Sequence, residues 1–345
     1  MMDTPIVPIR NLYYLLCYAW NQLPQGNIVN ISRAPTTELV DFFAFVLCEG
    51  IDHLGRRGLE QGYELREEEL TGVRGRIDIL PSARRFLVAH GRAACRFDEL
   101  TPNTLPNRIL KTTLRRLSNS SGLNDSLRKR VLVLHRDLRG VTETVLNSQA
   151  FRQVQLHANN RFYRFLLNVC EFIHVACLPD SETGGYRFRD FLRDERLMAH
   201  VFQDFLFNFI RIELPQWSAQ RERIVWHGVV ASEEDMALLP RMETDISISR
   251  GNEHIIIDAK YYQNTLTERF GTKKLHASNL FQMWAYLTNV QQREGTSIGG
   301  MLVYPRVDKT LRCQFLIRQY PLTVATVDLA KPWKNIHAEL SQLFA

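Results

Sequence analysis

The sequence predicts an α+β N-terminal domain with helices and short β-hairpins, followed by a C-terminal α/β domain in which helices flank a mixed sheet. Three observations support this division. A chain of 345 residues is long for a single core. Glycines punctuate short strand-like runs between residues 55 and 98, whereas the patterns after residue 194 follow the order helix, three strands, helix, strand. We place the boundary in the polar run 157–160, which gives domains 1–158 and 159–345.

The N-terminal domain is expected to begin with two buried helices. Asn11–Trp20 carries apolar or aromatic side chains on almost every helical face, and Thr37–Leu54 repeats its apolar residues with a helical period. The aromatic side chains of the first helix are typical of a core, with a partner-binding or base-stacking surface as the alternative. Strands are then expected at Tyr63–Leu65, Val73–Ile79 and Ala93–Phe97.

Charged side chains are concentrated in two places of this domain. Arginines and glutamates crowd the turns between residues 55 and 98, which is typical of a solvated face, with docking into another protein as the alternative. Two basic amphipathic helices follow, at Arg108–Leu117 and Leu127–Arg136. Their cations fit two interpretations equally well, contacts with phosphates or the polar side of a helix pair.

The C-terminal domain begins with a strongly apolar segment, Phe162–Leu178. Arg164, Glu171 and His174 interrupt it, so it is expected to be a packed helix rather than a membrane span. The elements predicted after it are helix Asp194–Leu214, strand Ile224–Val230, a hairpin that carries Asp245 and Asp258, helix Ser278–Val290, strands Gly300–Tyr304, Cys313–Tyr320 and Thr323–Leu329, and helix Trp333–Phe344.

The hairpin brings three polar side chains together. Gly251 followed by Asn252 suits a two-residue turn with positive φ. Counting back from that turn along both strands puts Asp245 opposite Asp258, with Cβ atoms about 5 Å apart. Because side chains alternate along a strand, Lys260 lies on the same face as Asp258. Two carboxylates and an ammonium group are therefore expected at one edge of the hairpin.

Such a cluster has a catalytic and a structural interpretation. Asp245 and Asp258 fit one octahedral Mg²⁺, which takes a few carboxylate oxygens and keeps water or phosphate oxygens in the rest of its shell. The alternative is a salt bridge among Asp258, Lys260 and Glu243. However, Ile255–Ile257 mark a buried strand, where clustered carboxylates are costly unless a cation compensates them. The pattern therefore favours a metal site.

The element order and these residues resemble the PD-(D/E)xK nuclease superfamily. The resemblance is carried by Pro240, by Asp245, by the run Asp258-Ala259-Lys260, and by Gln282 and Tyr286 on the following helix. Pro240 is five residues ahead of Asp245, so the literal Pro-Asp pair is absent. The resemblance implies phosphodiester hydrolysis with Mg²⁺, with the backbone carbonyl of Ala259 as a third ligand. Lys260 and Gln282 are then expected to position the attacking water or the DNA strand.

Several neighbouring residues have open roles. Many relatives in this superfamily place a glutamate on the first core helix, and the nearest candidates here are Gln203 and Glu213, so the number of metal ions stays open. Glu243 is either an extra ligand or a partner of Lys260. His254 and His276 are expected to be surface or helix-end residues rather than catalytic ones.

Blocks spread over the whole chain are similar to one family, McrC. They are PIRNLYYLLCYAW at Pro8–Trp20, RRGLE at Arg56–Glu60, GVRGRI at Gly72–Ile77, TLPNRILK at Thr104–Lys111, LLPRMETD, DAKYY and GGMLVYP. The resemblance implies the nuclease subunit of a restriction system that cuts double-stranded DNA with methylated cytosine. It also implies a partner, an McrB-type AAA+ GTPase ring, into which the N-terminal domain docks. The hairpins of residues 55–98 would then be the docking projection.

Composition limits the remaining possibilities. The net charge of +6 permits binding to a polyanion without establishing it. No G-x-x-x-x-G-K-[ST] loop occurs, so nucleotide hydrolysis is expected from a partner rather than from this chain. Six scattered cysteines and an N-terminus without a signal-like pattern indicate a cytoplasmic protein. The alternatives to an McrC-type nuclease are a non-catalytic adaptor with a nuclease-like domain and a stand-alone repair nuclease.

Overall fold

The computed structural model describes residues 7–35, 37–157, 160–180, 184–189, 192, 194–262, 267–269, 272–291, 295–307 and 309–345. Its helices are α1 Ile9–Ala19, α2 Leu23–Gly26, α3 Leu39–Arg57, α4 Ile79–Arg84, α5 Leu105–Ser118, α6 Asp125–Asp137, α7 Ser148–Gln153, α8 Arg161–Ala176, α9 Glu195–Glu213, α10 Glu233–Leu238, α11 Ala277–Asn289 and α12 Trp333–Leu343. Its strands are β1 Gly62–Leu70, β2 Arg76–Ile77, β3 Ala93–Thr101, β4 Ser120–Ser121, β5 Cys177–Pro179, β6 Tyr186–Phe188, β7 Ser218–Gln220, β8 Arg223–Ile224, β9 Met242–Glu243, β10 Ile246–Arg250, β11 Glu253–Ala259, β12 Thr267–Arg269, β13 Thr272–Lys274, β14 Ser297–Pro305, β15 Arg312–Ile317 and β16 Tyr320–Val327.

The chain forms two compact units. The sheet unit combines Met1–Ile28 with Asp190–Ala345, and the helical unit is Val29–Arg189. The boundaries of these units, after residues 28 and 189, lie away from the predicted position near residue 158, and the assignment of a partner-binding domain and an endonuclease domain stays a prediction. Two helices account for the difference. Helix α8, predicted in the C-terminal domain, packs against α3 and α5 of the helical unit. Helix α1 has apolar residues on almost every side, which need a buried position. It finds that position in the sheet unit, where α1 packs against α9.

The sheet unit is built on a six-stranded mixed sheet with the order β15-β16-β14-β11-β10-β7. Strands β11, β14 and β16 are parallel to one another, whereas β10 and β7 at one side and β15 at the other pair antiparallel. Helices α9 and α11 contact β11, and α12 contacts β16. The predicted mixed α/β architecture with flanking helices is therefore confirmed.

Close packing between α11 and the sheet depends on Gly300 of β14. A Cβ atom at this position would lie 2.7 Å from Met283 Sδ and 3.2 Å from Leu287 Cδ1. Both partners belong to a buried cluster that also contains Ile256 and Leu302. The missing side chain thus lets α11 approach the strands that carry the candidate site.

The helical unit has a core of α3, α5, α6 and α8, in which Phe43 and Phe172 pack with ring centroids 4.4 Å apart. For Lys111 and Arg130 the structure decides between the two interpretations of the basic helices. Lys111 Nζ donates hydrogen bonds to the carbonyls of Leu138 and Val141 at 2.9 and 2.8 Å. Arg130 is paired with the carboxylates of α3. These side chains are structural contacts within the unit.

A three-stranded antiparallel sheet, β1-β3-β2, accounts for the hairpins of residues 55–98. Its charged side chains pair largely with each other, as in Arg66 with Glu99 at 2.7 Å and Arg85 with Glu69 at 2.8 Å. Large apolar side chains are exposed on the same segment, namely Tyr63 (78%), Leu65 (57%), Val73 (67%), Ile79 (75%), Leu80 (68%), Phe86 (74%) and Val88 (72%). The segment therefore presents large apolar side chains beside its charged ones.

Three predicted strands differ from the structure. Of Ile224–Val230 only Ile224 lies in a strand, because Val225 is 62% exposed, Val230 is fully exposed, and Gly228 has φ 71°. Cys313–Tyr320 is divided into β15 and the start of β16 by a turn at Arg318, which has φ 53°. The strand Val73–Ile79 is reduced to β2 because Gly75, at φ 68°, packs against the backbone of β3 and α4 begins at once.

No helix in the described part of the chain is both long and apolar enough to cross a membrane.

Candidate functional site

The β10–β11 hairpin has the register that the sequence predicts. Arg250 pairs with Glu253 and Ile246 with Ile257, so Gly251 and Asn252 form the two-residue turn. Gly251 has φ 56°, in the region that favours glycine. Strand β10 begins at Ile246, so the next two residues outward along this register are Asp245 and Asp258. The turn thus determines which carboxylates meet.

Asp245 is held in place by contacts of the residue before it, Thr244, and by a contact with the neighbouring strand. Thr244, directly before it, exchanges backbone and hydroxyl hydrogen bonds with Glu222 at 2.9 and 3.0 Å. The Oδ2 atom of Asp245 accepts a hydrogen bond of 3.0 Å from the Ala259 N–H. Burial raises the pKa of Asp245, while Lys260 and this hydrogen bond lower it. Asp245 is therefore anchored at one oxygen.

Asp258 has no exposure to solvent, and its Oδ1 lies 2.9 Å from Lys260 Nζ. Among the described residues neither carboxylate oxygen accepts a hydrogen bond of good geometry. Burial raises the pKa of Asp258, Lys260 lowers it, and the charge of Asp245 raises it again. The net direction is upward, so one ammonium group does not compensate the burial of this carboxylate.

Lys260 completes the triad. Its backbone N–H donates to the Val303 carbonyl at 3.0 Å, which continues the β11–β14 pairing past the end of β11. Burial lowers the pKa of the Lys260 ammonium, but Asp258, Asp245 and Tyr262 together raise it and the net direction is upward, so the charged form is favoured. The Glu243–Lys260 pair of the structural alternative is not among the ion pairs of the described residues; Glu243 is exposed and lies opposite Arg223.

Helix α11 contributes Gln282 and Tyr286 as one hydrogen-bonded pair. Gln282 Nε2 donates to Tyr286 Oη at 2.7 Å, and Tyr286 Oη donates to the Glu243 carbonyl at 2.9 Å. Tyr286 also interacts electrostatically with Asp258, Asp245 and Lys260. Tyr286 therefore links the helix to the segment that leads into Asp245, and Gln282 reaches the site through Tyr286.

The two candidates on α9 have different surroundings. Gln203 Nε2 donates to the Ala259 carbonyl at 3.4 Å, and the same amide lowers the pKa of Asp245. Glu213 instead accepts from Tyr18 Oη at 2.5 Å and lies 3.1 Å from His337 Nε2. Gln203 therefore belongs to the site, whereas Glu213 holds together helices α1, α9 and α12.

Three side chains that the sequence pattern did not single out lie near the end of β11 together with His276. They are Tyr262, Asn279 and Tyr304. The rings of Tyr262 and His276 stack with centroids 4.5 Å apart. Tyr262 Oη donates to Asn279 Oδ1 at 3.2 Å, and Asn279 Nδ2 donates to Tyr304 Oη at 3.0 Å. His276 is thus a helix-end residue with an aromatic partner. His254 lies 3.1 Å from Glu222 instead.

The donor set fits a hard divalent cation. A fully buried carboxylate, paired with Lys260 at Oδ1 and without a hydrogen bond of good geometry at Oδ2 among the described residues, lies beside a second carboxylate and a backbone carbonyl, and such oxygens are what Mg²⁺ prefers. The described residues contain no group of three or more His, Cys, Asp or Glu side chains arranged for a metal. Asp245, Asp258 and the Ala259 carbonyl would be the protein ligands of one ion, and water or substrate oxygens would complete its shell.

Comparisons with known proteins agree on one family. A family model described as "McrBC 5-methylcytosine restriction system component" matches residues 9–305. The chain is 38% identical, over 99% of both sequences, to the Type IV methyl-directed restriction enzyme EcoKMcrBC of Escherichia coli (strain K12). A solved structure, a half-complex from a tetradecameric assembly of Thermococcus gammatolerans McrB AAA+ hexamers with bound McrC, is similar with a TM-score of 0.61. That likeness covers 97% of this chain and 76% of the other, at 16% identity, and shows a shared fold.

Proposed function

The chain belongs to the McrBC family of 5-methylcytosine restriction-system components, and from this premise we propose that it is the Mg²⁺-dependent endonuclease subunit of such a system. In this proposal it cuts double-stranded DNA that carries methylated cytosine, in the cytoplasm, together with an McrB-type AAA+ GTPase ring whose GTP hydrolysis it stimulates. The sheet unit is assigned the cleavage and residues of the helical unit the docking.

The observation that carries the proposal is the state of Asp258. Its carboxylate is fully buried, its Oδ1 contacts only the Lys260 ammonium at 2.9 Å among the described residues, and its Oδ2 accepts no hydrogen bond of good geometry from them. A structural salt bridge gains little from such burial, because desolvation of two charges consumes most of the Coulombic attraction. A cation site explains the same arrangement, since the ion supplies the missing ligands. This reasoning also disfavours a non-catalytic adaptor.

The roles of this chain's residues follow from their contacts. Asp245, Asp258 and the Ala259 carbonyl would hold Mg²⁺. When bound, Mg²⁺ neutralises phosphate oxygens and lowers the pKa of an attacking water. Lys260, kept charged by Asp258, orients that water and adds positive charge beside the phosphate. The 2.7 Å bond to Tyr286 fixes the Gln282 amide, which is assigned to position the water or the DNA strand.

The docking assignment is supported by the exposed apolar side chains of residues 55–98, called here the hairpin segment. Ile79, Phe86 and Val88 are each more than 70% exposed, and a group of large apolar side chains at a surface is typical of a protein interface. Several charged neighbours in this segment already pair with each other, as Arg96 does with Glu67 at 2.6 Å. We therefore assign the contact with the GTPase ring mainly to the apolar residues.

One reconstitution tests the proposal. The full chain is mixed with an McrB-type GTPase, GTP, Mg²⁺ and DNA with methylated cytosines, and cleavage and GTP turnover are measured. Wild type is expected to cleave and to raise GTP turnover. Asp258→Ala and Lys260→Ala are expected to lose cleavage and to keep the stimulation of GTP hydrolysis.

Different results reject different parts of the proposal. Cleavage by both variants would show that the site is wrongly assigned. A wild-type chain that neither binds the GTPase nor raises its turnover would reject the partner assignment, even if the DNA were cut. Equal cleavage of unmethylated DNA would reject the proposed substrate.

A further inference from the structure

Gln203 occupies a position from which its side chain reaches two of the three proposed cation ligands. It is half-buried on α9, its Nε2 lies 3.4 Å from the Ala259 carbonyl oxygen, and its amide is close enough to the carboxyl group of Asp245 to lower the pKa of that group. Both of these groups are acceptors. An amide NH₂ has two donor hydrogens, so one side chain can serve both acceptors.

Through these two contacts the Gln203 amide restrains the Ala259 carbonyl and the carboxyl group of Asp245. The Ala259 N–H fixes Asp245 Oδ2 at 3.0 Å, and the Gln203 amide adds a second restraint on the same carboxylate. Strand β11 and helix α9 are thereby connected at the site itself. Mutation of groups that orient metal ligands in this way typically costs about 10–100-fold in metal affinity.

The amide also sets the charge of the site. Asp245 and Asp258 contribute two negative charges and Lys260 one positive charge, so the cluster has a net charge of about −1 when all three are ionised. A neutral side chain at position 203 leaves this total unchanged, whereas a glutamate would add one more negative charge. Affinity for hard divalent cations rises with the number of charged oxygen ligands.

We propose that Gln203 is a positioning residue of the cation site, that it orients Asp245 and the Ala259 carbonyl, and that its neutrality limits the negative charge available to hold the cation. This inference rests on the proposed function. It predicts that position 203 tunes cation affinity in both directions, which a residue that only packs α9 against the sheet does not do.

The test is isothermal titration of the full-length chain with Mn²⁺, which takes the same oxygen ligands as Mg²⁺. Wild type is expected to bind one Mn²⁺ per chain. Gln203→Ala is expected to bind about tenfold more weakly, and Gln203→Glu about tenfold more tightly. The matched control is Gln314→Glu, the same change at an exposed position of β15, which is expected to match wild type.

The outcomes separate this inference from the proposal on which it rests. Wild type with one bound Mn²⁺, and both position-203 variants within twofold of its affinity, would overturn the inference and leave the cation site standing. A change in the same direction for both variants would also overturn it. Failure of wild type to bind Mn²⁺ would overturn the cation site and the inference together. Thermal unfolding without metal confirms that each variant is folded before its titration is interpreted.

Discussion

Lys260 Nζ lies 2.9 Å from Oδ1 of Asp258, a carboxylate that is completely excluded from solvent. An ion pair normally lowers the pKa of its carboxyl member. Here burial and the second carboxylate, Asp245, have the larger effect, and the pKa of Asp258 is raised. Lys260 therefore only partly compensates the burial of the Asp258 carboxylate. Several consequences of this can be measured.

The first consequence is a pH dependence of stability. Because the folded-state pKa of Asp258 lies above its unfolded-state value, the folded protein holds this proton more tightly. That contribution to stability is present at low pH and is lost as the pH rises through the folded-state pKa. Metal-free wild type is expected to lose stability relative to Asp258→Asn between about pH 5 and pH 8, by about 1–3 kcal/mol.

Chemical denaturation of both proteins across this pH range, in a chelator, measures the difference. Asp98→Asn, a change at an exposed aspartate of the helical unit, is the control and should follow wild type at every pH. A constant difference between wild type and Asp258→Asn would contradict the prediction.

Divalent cations are expected to reverse this loss. At pH 8 saturating Mg²⁺ should raise the unfolding temperature of wild type, because an ion that binds only the folded state stabilises it by mass action. Asp258→Asn should show little response, since the fully buried ligand is gone. Thermal unfolding with and without Mg²⁺ gives the result. An equal shift in both proteins would mean that the cation binds elsewhere.

Removal of the Tyr286 hydroxyl should weaken cleavage selectively. Tyr286→Phe removes both the 2.7 Å bond from Gln282 and the 2.9 Å bond to the Glu243 carbonyl, while the ring stays in the core. We expect a loss of about tenfold in DNA cleavage, the size of effect typical of groups that orient site residues. Stimulation of GTP turnover should not change. A variant with wild-type cleavage would remove the Gln282–Tyr286 pair from the mechanism.

Truncation of the exposed apolar side chains should weaken binding to the GTPase. Phe86→Ser and Ile79→Ser remove side chains that are 74% and 75% exposed, so the fold should be unaffected. We expect each to weaken association by about 1–2 kcal/mol, as for interface anchors. Val145→Ser is a matched control, because Val145 is 77% exposed in the same unit and outside the hairpin segment. Equal effects of all three changes would contradict the assignment.

Two glycine-to-alanine changes should have opposite effects on stability. Gly300→Ala places a methyl group 2.7 Å from Met283 Sδ in a buried cluster, and we expect it to lower the free energy of unfolding by about 1–3 kcal/mol. At Gly55, inside α3, no atom lies within 4 Å of an added Cβ. Gly55→Ala should raise the free energy of unfolding by about 0.5–1 kcal/mol. Denaturant titration of both variants provides the comparison.

Local patterns were sufficient to predict the centre of the site. The Gly251-Asn252 turn determines the loop length, and the two-residue period of a strand then determines that Asp245 and Asp258 meet and that Lys260 joins them. No long-range information is needed for this part, because one hairpin supplies all three side chains.

Features that depend on contacts between distant segments were not predictable. The sequence offered Gln203 and Glu213 as equivalent candidates, yet ten positions along a helix rotate a side chain by about 80° relative to the first, and only Gln203 reaches β11. The strand expected at Ile224–Val230 failed for a related reason, since its valines are apolar but exposed. Helix α1 reads as buried from its composition, but composition does not identify α9 as its partner.

The division of the sheet unit into two chain segments has a consequence for how the protein is made. The segment that ends at Ile28 is translated before the helical unit, and the remainder of its own unit starts only at residue 190. The helical unit is contiguous in sequence, so it can fold before α9 has been translated and before α1 can pack against it. A fragment that starts at residue 159 lacks α1 and its packing on α9. During synthesis, therefore, the segment assigned to recruit the GTPase can be complete before the residues assigned to cut DNA have been translated.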